Sequence, residues 1–285
     1  MHDLQRALLR ADPRLSKYDP LSRIFFFDDF NEGLNGWIGL MGNYEEDLDR
    51  MHPGYRPITT PMLSNLSFWD SGSHGALTGS YALKLATRPK TGALNVALKR
   101  LTYVKPCPIQ VEFWFTFKPE ANEKQLSETD MRSVGVLLDL QDDQRRIMPH
   151  VRYLNSHDGH RVEKWQFKQK EVPFHTLSNK TVTHFHLADQ DWEDISGNRQ
   201  ILCYNEIPTK VNWQYCKLGF DLRTMKYTTF QCNDIVYDMT GKGTLDIPAM
   251  PNLRGMLNVV LFCETDADKR GIFYVDSVCV SGEWD

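Results

Sequence analysis

Residues Val111 to Phe117 read VEFWFTF, with Val111, Phe113, Phe115 and Phe117 at alternate positions and Glu112, Trp114 and Thr116 between them. A period of two sends the two sets to opposite faces of a strand, and the valine–phenylalanine side is the one suited to a core. The same reading predicts strands at VGVLLDL (Val134 to Leu140), apolar on both faces as a central strand is, and at the aromatic-rich VNWQYCKLGFDL (Val211 to Leu222). It predicts further strands at YTTFQC (Tyr227 to Cys232), MLNVVLFC (Met256 to Cys263) and IFYVDSVCV (Ile272 to Val280). Turn-forming residues separate them at Lys118-Pro119, Asn155 to Gly159, Gly241 to Gly243 and Asp266 to Gly271. One short helix is predicted from Asp3 to Leu9, capped by Asp3, with Leu4, Ala7 and Leu8 on one face and Asp12-Pro13 ending it. Many closely spaced strands and few helices predict an all-β protein, a jelly-roll β-sandwich of two antiparallel sheets. The expected division is an N-terminal helix and extension over 1–22 and a single sandwich domain over 23–285, with no linker or repeat inside it. The first and last strands are both strongly apolar and are expected to pair.

A chain of 285 residues buries enough core to need no metal or disulfide for stability. Its 33 basic and 37 acidic residues are spread without long blocks, so charge gives no case for nucleic acid or an anionic membrane as partner. Aromatics make up 12% and include seven Trp, a bias that suits sandwich cores and flat sites that stack on sugar rings. The N-terminus lacks the apolar run of a signal peptide, and no stretch approaches the about 18 apolar residues of a spanning helix. Cys107, Cys203, Cys216, Cys232, Cys263 and Cys279 form no CxxC pair and sit mostly in strand-like settings. They read as reduced, partly buried thiols, and the expected location is cytoplasmic.

FFFDDFNEGLNGW (Phe25 to Trp37), GSYALKLATRP (Gly79 to Pro89) with the strand that follows it, and a last strand of the type FYVDSVCVSG together carry a resemblance. They resemble the concanavalin A-like lectin/glucanase superfamily, over about Phe25 to Gly282, and suggest an uncharacterised bacterial branch of it. The resemblance implies the jelly-roll. It implies nothing specific about activity, since that fold hosts lectins, glycosidases, polysaccharide lyases and interaction domains. The glucanase motif Glu-x-Asp-x-x-Glu is not carried over. The nearest strings, ETDMRS (Glu128 to Ser133) and ETDADK (Glu264 to Lys269), lack the final Glu and lie in turn-like segments.

Four groups of residues are candidates for chemistry. Such sandwiches often tie the first strand to the last with calcium, and Asp28, Asp29, Asn31 and Asp276 would supply its oxygens if those strands pair. Alternatively, adjacent Asp residues end a strand and cap a turn. In THFHL (Thr183 to Leu187), His184 and His186 face one side of a strand. That spacing suits a shared metal, with Asp191 or Glu193 as third ligand, or equally a pair of groove histidines. The third group is Glu112 and Trp114, joined by Trp213, Tyr215 and Lys217 on another strand and by Trp165 and Gln166 on a further one. Rings beside carboxylates and amides suit a sugar, whose C–H faces stack while its hydroxyls take planar polar partners. The same rings would also serve as core. The last is the long segment from Asn43 to Ser80, a lid or an edge cover that would bring Tyr44, Glu45, Tyr55, Trp69, Asp70 or His74 to a ligand.

Two functions follow. One is a carbohydrate-binding or carbohydrate-processing sandwich; as a glycosidase or lyase it would use Glu112 as general acid or base, assisted by His184 or His186 and paired across strands with a carboxylate such as Asp139. The partner would be a carbohydrate or a small sugar derivative. The other is a non-catalytic interaction domain that self-associates as a homo-oligomer through a sheet face.

Overall fold

The computed structural model describes Leu4, Ala7, Ala11 and residues 17–39, 61–64, 76–119, 127–171, 190–202 and 212–283. These form eighteen strands. In chain order they are β1 (Arg23–Asp28), β2 (Trp37–Ile38), β3 (Met62–Leu63), β4 (Leu83–Ala86), β5 (Leu94–Thr102), β6 (Pro108–Pro119), β7 (Met131–Gln141), β8 (Arg146–Met148) and β9 (His150–His157). Then come β10 (His160–Lys168), β11 (Lys170–Glu171), β12 (Trp192–Arg199), β13 (Gln214–Asp221), β14 (Lys226–Cys232), β15 (Ile235–Tyr237), β16 (Leu245–Ile247), β17 (Met256–Thr265) and β18 (Gly271–Gly282). Leu4, Ala7 and Ala11 have helical backbone and are exposed.

The first sheet has the order β15-β14-β13-β6-β18-β4-β3, with β1 also on β18. The second runs β11-β16-β8-β7-β17-β5-β2 and extends from β7 through β9 and β10 to β12. Every pairing is antiparallel except that of β11 with β16. The all-β sandwich of two sheets is therefore as the alternation predicts. The first and last strands do pair, from Arg23 opposite Gly282 to Asp28 opposite Val278.

The core lies between the sheets, and strand alternation decides what enters it. Val111, Phe113, Phe115 and Phe117 of β6 point inward, as do Val134, Val136, Leu138 and Leu140 of β7. Leu137 points the other way, into a second apolar cluster with Val96, Met148, Leu245, Val260 and Phe262 on the outer face of the second sheet. That explains why VGVLLDL is apolar on both sides. The ring of Phe262 lies so close over β7 that a Cβ on Gly135 would stand 2.3 Å from it and 2.7 Å from the Val151 carbonyl oxygen. At the β9–β10 hairpin, Asp158 (φ 52°) and Gly159 (φ 74°) make a two-residue turn of the left-handed kind that the strand twist favours. Cys107, Cys216, Cys232, Cys263 and Cys279 are buried free thiols; Cys203 lies outside the described residues.

Candidate functional site on the outer face of the first sheet

With Phe113 and Phe115 committed to the core, β6 turns Gln110, Glu112, Trp114 and Thr116 to the outer face. The neighbouring strand β13 matches it pair by pair: Tyr215 stands opposite Trp114, and Lys217 opposite Glu112. Trp114 and Tyr215 form a tilted ring pair with centroids 5.5 Å apart. The Tyr215 hydroxyl donates to Glu112 Oε1. Burial, reinforced by that carboxylate, holds the Tyr215 phenol far above its usual range, so it remains a donor. Trp213 continues the face, packing on a small cluster of Ala86, Ile272 and Tyr274. Trp114, Trp213, Tyr215 and Glu112, grouped from sequence alternation alone, thus share one surface.

Strand β18 borders the face on the other side. Its inward residues are Phe273 and Val275, then Val278 and Val280, so the parity changes across Asp276 and Ser277. This is a bulge, with Ser277 at φ 58°. Asp276 keeps to the outer side with Ile272 and Tyr274, opposite Trp114, and the bulge turns Cys279 outward, opposite Glu112. Burial, and the Glu112 charge after it, push the Cys279 thiol up to about 12, which makes it a poor nucleophile.

A segment that sequence reasoning did not connect to the site lies across it. The Asp19 amide donates to Glu112 Oε1 at 2.8 Å, and Gln110 Nε2 donates to the Asp19 carbonyl at 2.8 Å. The Leu21 amide donates to Ser281 Oγ at 3.0 Å, the Tyr18 hydroxyl to the Ser277 carbonyl, and Lys17 Nζ to Ser277 Oγ at 2.6 Å. Under this strap Glu112 is 0% exposed. Among the described residues one of its oxygens, Oε2, has no hydrogen-bond partner, and neither has the Trp114 indole N–H. The signal that would have found the strap is the proline spacing, Pro13 and Pro20. A proline biases the residue before it away from helical backbone, so Asp19 is disposed to present its amide and carbonyl to a neighbouring strand.

The remaining candidates fall elsewhere. Trp165 is in the core, 2% exposed, between Tyr153 and Phe230. It shares the inward side of β10 with Phe167, which leaves Gln166 on the outer face of the second sheet. Asp139 also lies on that outer face, held by two bonds of 2.9 Å from Arg146, so it makes no acid–base pair with Glu112. His184 and His186 lie outside the described residues, as do Tyr44, Glu45, Tyr55, Trp69, Asp70 and His74. The end of that long segment reaches the site: the Leu77 and Thr78 amides donate to Asp276 Oδ2 at 2.7 and 3.1 Å.

The four proposed calcium ligands do not all gather on one face. Asp28 faces inward, where Oδ1 accepts from the Phe30 amide and Asn35 and Oδ2 from the Trp37 indole. Asp276 faces outward, with its carboxylate taken by two amides and the Ser277 hydroxyl. Burial raises the pKa of both, and their hydrogen bonds oppose it. Asp29 and Asn31 accept from the Asn31 and Ser80 amides. These bonds make the four residues turn and strand-end caps. Among the described residues His157, Asp158 and Asp266 bring ligand atoms within 4.8 Å of one another. There the Arg132 guanidinium, 3.2 Å from His157 Nδ1, already supplies positive charge. No helix among the described residues is long and apolar enough to cross a membrane.

Residues 5–284 match the model of a family described as a domain of unknown function, DUF6772. The chain belongs to that family. The match runs through the strap and both sheets, so the DUF6772 domain includes the N-terminal segment with the sandwich. No curated protein matches the chain. Among solved structures it is similar to the winged bean acidic lectin complexed with methyl-alpha-D-galactose, at 9% identity over 79% of this chain and 93% of that one, with a TM-score of 0.39. It is similar to a legume lectin-like domain from Entamoeba histolytica, at 8% identity over 79% and 90% of the two chains and a TM-score of 0.38. It is also similar to the potassium-bound carbohydrate recognition domain of Emp46p, at 10% identity over 86% and 97% of the two chains and a TM-score of 0.35.

Proposed function

We propose that the chain is a carbohydrate-binding β-sandwich protein that takes a neutral, hydroxyl-rich sugar on the Trp114–Tyr215 face of the first sheet. One observation carries this reading: a buried carboxylate with an unspent oxygen lies beside an aromatic pair whose indole donor is also unspent. Leaving a buried donor or acceptor unsatisfied costs about 1–3 kcal/mol each, a cost that a packing surface sheds and a binding surface recovers from its ligand. A sugar hydroxyl serves both groups, since it donates and accepts, while the rings meet its C–H face. An acidic sugar would bring its own negative charge against Glu112.

The reading is binding, not hydrolysis. A glycosidase needs two carboxylates held ready on either side of the bond. Asp276, the carboxylate on β18 opposite Trp114, has both oxygens engaged. A glycan array probed with the full chain and with Trp114→Ala tests the proposal. At least one neutral oligosaccharide is expected to bind, about tenfold more weakly to the variant. Silence across the array, or equal binding by the variant, would contradict it.

A further inference from the structure

The strap over residues 17–21 is held in an unusual way for a segment covering a sheet. Its grip is polar: amide and carbonyl of Asp19, the Leu21 amide, the Tyr18 hydroxyl and the Lys17 ammonium. Of its five residues only Tyr18 is buried, its ring edge-on to Phe27 at 6.1 Å. Asp19 keeps its side chain 80% exposed, reaching Lys217 at 3.7 Å. Lys17 loses part of its hydration to make its bonds, and burial lowers its pKa while Asp276 and Asp29 partly restore it. Segments with little apolar burial open locally at a small fraction of the global unfolding free energy. What they cover here is Glu112, a fully buried carboxylate of the face, with its unspent Oε2.

We propose that residues 17–21 are a displaceable strap that closes the carbohydrate face, and that a vicinal pair of sugar hydroxyls takes over the two bonds made by the Asp19 backbone. The inference rests on the carbohydrate reading above and adds its regulation and its recognition element. Asp19 offers one donor to Glu112 Oε1 and one acceptor to Gln110 Nε2 from a single residue. Two neighbouring hydroxyls on a sugar ring offer the same donor and acceptor at similar spacing. Once the strap lifts, Glu112 Oε2 becomes reachable as well, so the ligand gains a contact that the strap does not make. Apparent affinity is then the intrinsic affinity reduced by the fraction of molecules with the strap open. Weakening the strap must therefore tighten binding, the reverse of what loss of a ligand contact does.

The test uses the full chain as wild type, as Tyr18→Phe, and as Lys17→Ala with Tyr18→Phe. Tyr18→Phe keeps the ring against Phe27 and removes only the hydroxyl. Each is titrated with cellotriose, maltotriose, xylotriose and mannotriose, and hydrogen exchange is followed at the Asp19 and Leu21 amides. The double variant is expected to bind about tenfold tighter than wild type, with the single variant between them. In wild type, saturating sugar is expected to speed exchange at both amides. Equal or weaker binding by both variants, or slower exchange at Asp19 when sugar is bound, overturns the strap while leaving a carbohydrate site standing. If no form binds any of the four sugars and the array is also silent, the carbohydrate reading itself falls, and the strap's role falls with it.

Discussion

Asp28 shows how much one side chain does at the entry to the sandwich. It gathers the Phe30 amide, the Asn35 amide group and the Trp37 indole onto two oxygens at 2.8 to 3.0 Å. Asp28→Ala strands those donors, two of them buried, and should cost about 1–3 kcal/mol in urea unfolding. A chelator should leave the melting temperature of wild type unchanged. A drop on adding chelator, with no loss in the variant, would return these carboxylates to a metal. At this scale the sequence was read well where alternation was unbroken: Glu112, Trp114, Trp213 and Tyr215 were assigned to one face and share it. Trp165 was grouped with them by residue type, although its own alternation with Phe167 pointed inward. Gln110 and the Asp19 backbone went unnoticed because a polar contact 91 residues apart leaves no local pattern.

Among the elements, β7 and β18 behave differently because their surroundings do. Strand β7 is apolar on both sides because its inner face enters the core and its outer face joins an apolar cluster with the neighbouring strands of its own sheet, and that was legible as a continuous apolar run. Gly135 on it is the close-approach point for Phe262, and no local sequence feature marks it. Gly135→Ala should destabilise by about 1–3 kcal/mol, since the new methyl meets the aromatic ring and a backbone carbonyl together. Adding Phe262→Ala should recover only the ring's share of the clash. Full stability in Gly135→Ala would show that β7 and β17 give way more easily than their packing implies. In β18, the apolar positions move from odd to even numbers after Val275, the trace of the bulge. That bulge turns Cys279 to the site face beside Asp276. It was written in the sequence, but only as a parity change inside what otherwise reads as one continuous strand.

Taken whole, the molecule offers two outer sheet faces, and they are not equivalent. The second sheet covers its outer face with an apolar cluster and with Trp192, flanked by the Arg152 guanidinium at 4.1 Å and Lys168 Nζ at 4.7 Å. The first sheet has an aromatic pair, a buried carboxylate and a polar strap tied across them. The two-sheet architecture followed from strand periodicity. How each outer face is covered did not, because that depends on how segments distant in the chain are laid across the sheets. The most direct measurement is a sugar titration followed by the indole N–H signals of the seven Trp, assigned by single Trp→Phe substitutions. The Trp114 indole, unspent in the free protein, should shift most on binding, and the core Trp165 indole, bonded to Gln200 at 2.9 Å, should stay in place. Binding that moves another indole and leaves Trp114 still would contradict the site.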